Sequence, residues 1–395
     1  MPRGRADKVS QPDVDLDLGL AAVDVSYKGR PVGKLAATSE GPLAFEYDNE
    51  WLAKGFSISP LSLPLTPGVS VAKPEPLSGV FGVFDDSLPD GWGRLLVDRM
   101  LRANGIEPRN VSSLVRLAIV GASGMGALEY APRFSLPHEE LPLDFDALAA
   151  ECTKVLQSEP TTDAELDTLF ALGGSSGGAR PKALVFLDGA SWIVKFPSSY
   201  DPINIGEQEF SYAKAARTCG LILPETRLFP SKICGGYFGV RRFDRPLQAD
   251  GGETKTHMVS AGGLLETSHR IPNLDYDILM RLTLMLTHSS CDTEALFRLM
   301  CFNVFAGNRD DHAKNFSYLY DEDDGSWHLS PAYDLTESAG TYGERATTVN
   351  GKGKDIDLDD LVAVGKTGGL GARQSQAIVQ EIREIVRDEL GVEND

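Results

Sequence analysis

Cysteine is scarce and scattered in this 395-residue chain: Cys152, Cys219, Cys234, Cys291 and Cys301 include no Cys-x-x-Cys pair. That spacing fits neither a disulfide framework nor a thiolate zinc site, and it points to a reducing compartment. The six histidines are dispersed too; His138, His257, His269, His288 and His328 read as structural or exposed, not as metal ligands. No run approaches the roughly 18 consecutive apolar residues of a membrane helix. The charged start is followed by Gln11, Pro12, Asp13 and Asp15 where a secretion signal needs an apolar core. Positive charge is also short, with 38 basic against 57 acidic side chains and a net charge of −19. Phosphate backbones repel such a surface, which disfavours extensive direct nucleic-acid binding without a local basic patch, a contact that a partner could supply instead. What remains is a soluble, cytoplasmic protein, long enough for two or three domains.

Residues 1–13 read as a flexible tail. From Val14 to about Phe45 the pattern alternates, as in LAAVDVSYKGRPVGKLAA, with Lys28-Gly29 as a turn between short strands. Pro60, Pro64, Pro67, Pro74 and Pro76 argue for loops and edge segments. After Asp90-Gly91, WGRLLVDRMLRANGI reads as an amphipathic helix, with Leu95, Leu96, Met100 and Leu101 at helical spacing. This unit is expected over 14–135, as a small mixed α/β subdomain that ends in a proline-containing stretch. The next, 136–245, opens with a helix from about Asp144 to Val155. It continues through a glycine-rich turn at Gly173–Gly178, strands in KALVFLDG and SWIVKFP, a helix from about Ile205 to Cys219, and strands in ETRLF and GYFGVRRFD.

Over 246–395 the character turns helical, in YDILMRLTLMLTH and TEALFRLMCFNVFAG. A hairpin pairs NFSYLY with WHLSPAYD around the acidic turn Asp321–Gly325. The segment after Gly351, with Asp355, Asp357, Asp359 and Asp360, reads as solvated. The final RQSQAIVQEIREIVRDEL carries Ile378, Ile382, Ile385 and Val386 on one face. The whole is an α+β chain, a β-rich lobe followed by a mostly helical lobe, and a hinge between such lobes is a natural place for a nucleotide.

Four elements carry chemistry. The first is Asn308-Arg309-Asp310-Asp311-His312-Ala313-Lys314-Asn315, in which Arg-Asp, four residues and Asn have the spacing of a protein-kinase catalytic loop. A carboxylate there meets the hydroxyl to be phosphorylated, and an amide oxygen a few residues on serves the metal at the phosphates. A solvated polar loop would have the same composition. The second is Asp334, 19 residues beyond Asn315, where a metal-binding carboxylate belongs. The third is Lys195, placed inside an apolar strand between Val194 and Phe196; it either snorkels outward or meets anionic oxygen. Glu207 and Glu209, on the helix that follows, are its candidate partners, Glu209 lying further into the helix. The fourth is Gly173–Lys182, whose backbone N–H groups can cradle phosphates; it matches neither the Walker pattern nor G-x-G-x-x-G. The loop Gly121–Gly126 reads as a structural turn.

Taken in order, Ser-x-x-Gly-Ala-x-x-Lys, the strand lysine, Asn-x-Asp-x-His-x-Lys-Asn and Tyr-Asp resemble the HipA family of toxin kinases of bacterial type II toxin–antitoxin systems. FGVFDDSLPDGWGRLLVDR and GMGALEY resemble that family's N-terminal subdomain, so the likeness runs from about Val23 to the C-terminal helices. It implies a bilobal protein-kinase-like fold with an extra N-terminal subdomain. It implies ATP and Mg²⁺ as cofactors, Asp310 as the catalytic residue, and Asn315 and Asp334 as magnesium ligands. Lys195 is then the ATP-phosphate lysine with Glu209 as its ion-pair partner, and Gly177, Gly178, Ala179, Arg180, Pro181 and Lys182 form the phosphate loop. Phe243 falls where the family's hinge touches adenine, although this chain has Arg241 where relatives carry an acidic residue. His312, Lys314 and Tyr333 lie in nucleotide-contacting segments. Autophosphorylation is expected at Ser175, with Ser176 a neighbouring candidate.

The expected partners are a HipB-like helix-turn-helix antitoxin, with DNA reached only through it, and a protein substrate. The family suggests an aminoacyl-tRNA synthetase such as glutamate–tRNA ligase. Two other readings share these residues: a small-molecule phosphotransferase, and a co-repressor scaffold that binds the antitoxin.

Overall fold

The computed structural model describes residues 16–134, 143–159, 163–249, 251–340 and 342–392, with side chains of 163 and 164 set aside. The expected tail at 1–13, His138 and the 135/136 boundary lie outside the described residues.

The alternating N-terminal segment forms strands β1 (Ala22–Tyr27), β2 (Arg30–Ala37) and β3 (Leu43–Tyr47). Lys28 and Gly29 join β1 to β2 with φ of 49° and 76°, the left-handed pair that matches the twist of a tight hairpin. With β4 (Val69–Val71) and β5 (Leu128–Ala131) they make an antiparallel sheet of order β4-β3-β2-β1-β5. Val23, Val25 and Tyr27 alternate inward, as a half-buried strand requires. Helices α1 (Asn49–Lys54), α2 (Gly82–Asp85), α3 (Gly91–Ala103) and α4 (Ser113–Val120) accompany this sheet. Sequence periodicity missed α4, because SLVRLAIV is buried all round and has no polar face to reveal a period.

Helices α5 (Phe145–Leu156) and α6 (Asp163–Gly173) lead into a second antiparallel sheet. It comprises β6 (Lys182–Leu187), β7 (Ala190–Lys195), β8 (Thr226–Phe229) and β9 (Tyr237–Arg241) in the order β6-β7-β9-β8, with α7 (Ile205–Thr218) connecting β7 to β8. The expected glycine turn at Gly173–Gly178 is preceded by α6, which the sequence reading left out. Lys195 is the last residue of β7, not an interior one.

The remaining chain is mainly helical: α8 (Ala261–Leu265), α9 (Tyr276–Thr287), α10 (Ser290–Phe305), α11 (Leu358–Thr367) and α12 (Ala372–Leu390). Strand β10 (His257–Ser260) pairs with the polar hairpin β12 (Ser317–Asp321) and β13 (Ser326–Leu329), while β11 (Leu274–Asp275) and β14 (Thr347–Thr348) form a two-residue parallel pair. The acidic segment after Gly351 is not simply solvated. Asp357 caps α11 in a reciprocal capping box with Asp360, and Asp360 is buried against Lys352 at 2.6 Å. Among the described residues no helix is long and apolar enough to cross a membrane.

Packing does not respect the sequence segments. One hydrophobic core runs from Val23 and Phe45 of the first sheet and Phe84 of α2 through Val259, Tyr276 and Phe297 to Ile378 and Ile382 of α12. The first sheet also sits on the polar hairpin, with Phe56 stacked on Tyr320 at 3.8 Å and the Tyr27 hydroxyl donating to Glu322 at 2.7 Å. A second core gathers Trp92 and Leu96 of α3 with Cys152, Leu169, Val185, Trp192 and Tyr237. Helix α3 therefore belongs to the second core on one side and, through Val97, Met100 and Leu101, to a third with Val115 and Ile119 of α4 on the other.

Candidate active site

Gly307, at a φ of 70°, turns the chain out of α10 into Asn308–Phe316. The two adjacent aspartates in this segment take opposite directions. Asp311 is fully buried. It accepts from the Tyr276 hydroxyl at 2.8 Å, from Arg345 Nη2 and Nε at 2.9 and 3.2 Å, and from the Thr347 N–H at 3.2 Å. Arg345 Nη2 also donates to the Asn308 carbonyl at 2.5 Å. Below them, Asn308 donates to Asn303, and Asn303 to the Tyr276 hydroxyl, each at 3.0 Å. This buried network anchors the segment and leaves Asp310 exposed. Partial desolvation, opposed by His312 and helped by the like charges of Asp334 and Asp311, holds the Asp310 carboxyl above its ordinary range. Asn315 Nδ2 donates to the Asp310 carbonyl at 2.7 Å, a bond that does not engage its amide oxygen.

Asp334 adopts a φ of 57°, in the left-handed region that is uncommon for a non-glycine residue. Its Oδ1 lies 2.5 Å from Lys195 Nζ, and Lys195 lies 2.8 Å from Glu209 Oε2. The Lys195 ammonium beside it, aided by Lys182 and opposed by burial, holds the Asp334 carboxyl well below the usual carboxylate range. Glu209 is buried on α7 and is shared, because Arg180 also donates to it while binding Asp201 through two hydrogen bonds of 3.0 Å. Of the two glutamates at the start of α7, the lysine meets Glu209, the partner the resemblance implies. Lys182 stands directly across the β6–β7 register from Lys195, and burial pushes its ammonium down to about 8. Three cations and three carboxylates thus converge where β6, β7 and α7 meet Asp334.

The glycine-rich loop is docked against the start of α3. The Trp92 N–H donates to the Gly178 carbonyl at 2.8 Å, and the Trp92 indole to the Lys182 carbonyl at 3.2 Å. Lys182 Nζ reaches the Gly177 carbonyl at 2.5 Å. Gly93 is glycine for a physical reason: a Cβ there would stand 2.1 Å from the Ser176 carbonyl oxygen. Ser176 is buried, and its hydroxyl donates to Gly173 at 2.6 Å. Ser175 is more accessible and donates to the Ser123 carbonyl at 3.1 Å. Ala179 is exposed, and the Pro181 carbonyl accepts from the Phe196 N–H at 2.8 Å.

Phe243 and Tyr333 approach with ring centroids 5.5 Å apart, and the Tyr333 hydroxyl donates to the Lys314 carbonyl at 2.6 Å. Phe243 is flanked by a buried Arg242–Asp244–Arg245 group. Asp244 accepts from Arg242 and Arg245 and from the Gly126 N–H, while both arginines donate to the Gly124 carbonyl. The Gly121–Gly126 turn is therefore a clamp on this segment. Arg241 turns away toward Glu225, at 3.9 Å. His312 caps the Lys314 N–H at 3.3 Å and lies 5.4 Å from the His269 ring. Of the other histidines, His257 is buried on the Ile58 carbonyl, and His328 sits with Asp321 and Asp324 in an exposed cluster whose ligand atoms lie within 4.8 Å.

Sequence reasoning missed Asp311, Arg345, Tyr276 and Asp90. Asp311 was passed over because the spacing selects Asp310 and gives its neighbour no role; burial supplies one. Arg345 and Tyr276 lie far from the segment in sequence and carried no motif.

Residues 174–390 match the family described as HipA-like C-terminal domain, and residues 23–131 match the HipA N-terminal domain. Two relatives from Sinorhizobium fredii are named "Putative kinase Y4dM" and "Putative kinase Y4mE". The first is 27% identical over 331 residues, covering 80% of this chain and 77% of the relative. The second is 27% identical over 384 residues, covering 88% and 86%. In fold, the chain is similar to a solved structure of the Shewanella oneidensis MR-1 toxin–antitoxin system HipA, HipB and its operator DNA complex. That match has a TM-score of 0.68 at 18% identity and covers 93% of this chain and 90% of the other.

Proposed function

The chain belongs to the HipA family, and from that premise we propose that it is an ATP- and Mg²⁺-dependent serine/threonine protein kinase, the toxin of a toxin–antitoxin pair. One observation carries the reading: Lys195 links Glu209 on α7 to Asp334, as a kinase strand lysine joins a helix glutamate and the metal-binding site. In the lobe terms of that fold, β6–β9 and α7 form the N-lobe core, and the chain from about 246 forms the C-lobe. The first sheet with α1–α4 is the added subdomain.

The oxygen donors fit a hard cation: the Asp334 carboxylate is ionised across the physiological range, and the Asn315 amide oxygen is left over from its bond to Asp310. Magnesium supplies neutralisation of phosphate charge when bound. Lys195, Lys182 and Arg180 present the cations that phosphate oxygens require, and Phe243 with Tyr333 offers an aromatic surface for adenine. Asp310, exposed and anchored from beneath by Asp311, orients the acceptor hydroxyl and takes its proton. Phosphoryl transfer demands positioning and electrostatics rather than covalent help, so these groups suffice.

Of the two loop serines, Ser175 is the autophosphorylation site in this reading, because Ser176 is buried and bonded inside the loop. A phosphate of about −1.5 to −2 charges would repel ATP there. A HipB-like antitoxin is the proposed partner, and its contact with DNA would spare this acidic chain that task. The proposed substrate is a protein, with aminoacyl-tRNA synthetases as the class to screen first.

The test is phosphate incorporation from labelled Mg-ATP, wild type beside Asp310→Ala. Labelling of the wild type alone is expected. Equal labelling of both, or none from a wild type whose intact mass carries no phosphate, would overturn the reading.

A further inference from the structure

Asp90 occupies the position before α3, where an aspartate ordinarily caps its own helix, yet its side chain makes no such cap. Its carboxylate is spent on two other elements. Oδ1 accepts the Gly178 N–H of the glycine-rich loop, and Oδ2 lies 3.4 Å from Lys314 Nζ in the segment that carries Asp310. Burial alone would raise this carboxyl; Lys314, the Gly178 N–H, His269 and Lys182 together hold the group below its ordinary range.

The surroundings fix the geometry from both sides. The next N–H but one, that of Trp92, donates to the Gly178 carbonyl at 2.8 Å, so Asp90 and Trp92 together hold both polar groups of one peptide residue. Gly91, at a φ of 43°, has no room for a side chain, since a Cβ would stand 2.3 Å from the Gly178 carbonyl oxygen. On the other side, Lys314 is drawn to the same turn by Asp85, 3.1 Å away. The α2–α3 turn is thus in contact with the phosphate loop and the catalytic segment at once, although it belongs to neither.

We propose that Asp90 is a positioning residue of the phosphate-transfer site: it fixes the Gly178 N–H with one oxygen and faces the Lys314 ammonium with the other, so that the N-terminal subdomain sets the spacing between the glycine-rich loop and the catalytic segment. This rests on the kinase reading above. The loop is held in place before any nucleotide arrives, and nucleotide binding spends less on ordering it. A shift of the subdomain would reach the phosphate loop and Lys314 together, because one carboxylate serves both.

The experiment compares Asp90→Ala and Asp90→Asn with wild type and with Asp24→Ala, a surface control that loses only the exposed Asp24–Lys34 pair. Hydrogen–deuterium exchange of the nucleotide-free proteins is the first readout. Exchange over 174–179 should rise about tenfold in Asp90→Ala, as loss of a hydrogen bond to a charged acceptor allows. It should stay near wild type in Asp90→Asn, whose amide oxygen still accepts from Gly178, and in the control. The second readout is steady-state transfer from Mg-ATP: KM for ATP rises in Asp90→Ala, whereas Asp90→Asn lowers kcat with little change in KM. Unchanged exchange over 174–179 in a folded Asp90→Ala overturns the proposal. Exchange that rises equally in Asp90→Asn, or throughout the chain, also overturns it, since that marks general destabilisation. If exchange behaves as expected but the wild type transfers no phosphate, the kinase reading fails and the loop contact stands.

Discussion

Removing the Asp311 carboxylate tests the anchor beneath the catalytic segment. Asp311 is fully buried, and Arg345 nearly so, at 6% exposure. In Asp311→Leu the guanidinium keeps its bond to the Asn308 carbonyl but loses both contacts to Asp311 and stays buried as an uncompensated charge. Breaking a buried pair from one side costs about 3–5 kcal/mol. Unfolding entropy of about 2.1 cal/mol/K per residue makes the slope for a chain of this length roughly 0.8 kcal/mol/K. The melting temperature should therefore fall by about 4–6 °C. The double variant Asp311→Leu/Arg345→Met leaves no charge behind, so it should recover at least half of that loss. Thermal unfolding followed by circular dichroism, with a urea titration beside it, gives both numbers. An Asp311→Leu protein melting within about 1 °C of wild type would refute the reasoning, as would a double variant no more stable than the single one. Because the same network holds the backbone that carries Asp310, phosphate transfer should drop in Asp311→Leu at temperatures where it remains folded.

Two further outcomes follow from the site. The Asp334 carboxyl is held below its unfolded value of about 3.9, so its stabilising effect is fully present above that pH and is lost as pH falls through the lower folded value. Asp334→Asn should therefore be less stable than wild type by a constant margin between neutral pH and about 5, with the margin shrinking in stronger acid; urea midpoints across pH measure it, and a margin that widens on acidification would contradict the pairing with Lys195. Gly93→Ala would gain about 1 kcal/mol in an unencumbered helix, yet its Cβ meets the Ser176 carbonyl 2.1 Å away, so the glycine-rich loop should undock. Faster limited proteolysis between 174 and 182 is the sign of that, and an unchanged cleavage pattern would mean the loop does not pack on α3 as described.

Most elements were legible in the sequence because their periods are local. Alternation located β1 and β2, strand-like runs located both strands around Gly189, helical spacing located α3 and α12, and apolar helical character marked α9 and α10. The order of the motifs was enough to suggest Lys195, Asp310, Asn315 and Asp334 as one site, since each carries its chemistry in its own short pattern. Local pattern could not find α4, whose residues are apolar on every side, or give Asp357 its capping role, which depends on Asp360 folding back onto it. It could not decide between Glu207 and Glu209 either; that choice turns on which face of α7 meets the end of β7, and Glu209 is the one buried there. The spacing Arg309-Asp310, four residues, Asn315 singled out Asp310, but nothing local gave Asp311 its anchoring role. Burial sorts them, and burial is set by Arg345 and Tyr276, about 35 residues away on either side. The residues and their chemistry were fixed by the chain itself. Which carboxylate stays exposed, which is locked inside, and which one joins the start of α3 to the glycine-rich loop were decided by tertiary contact, because hydrogen bonds and desolvation act between groups that meet only after folding.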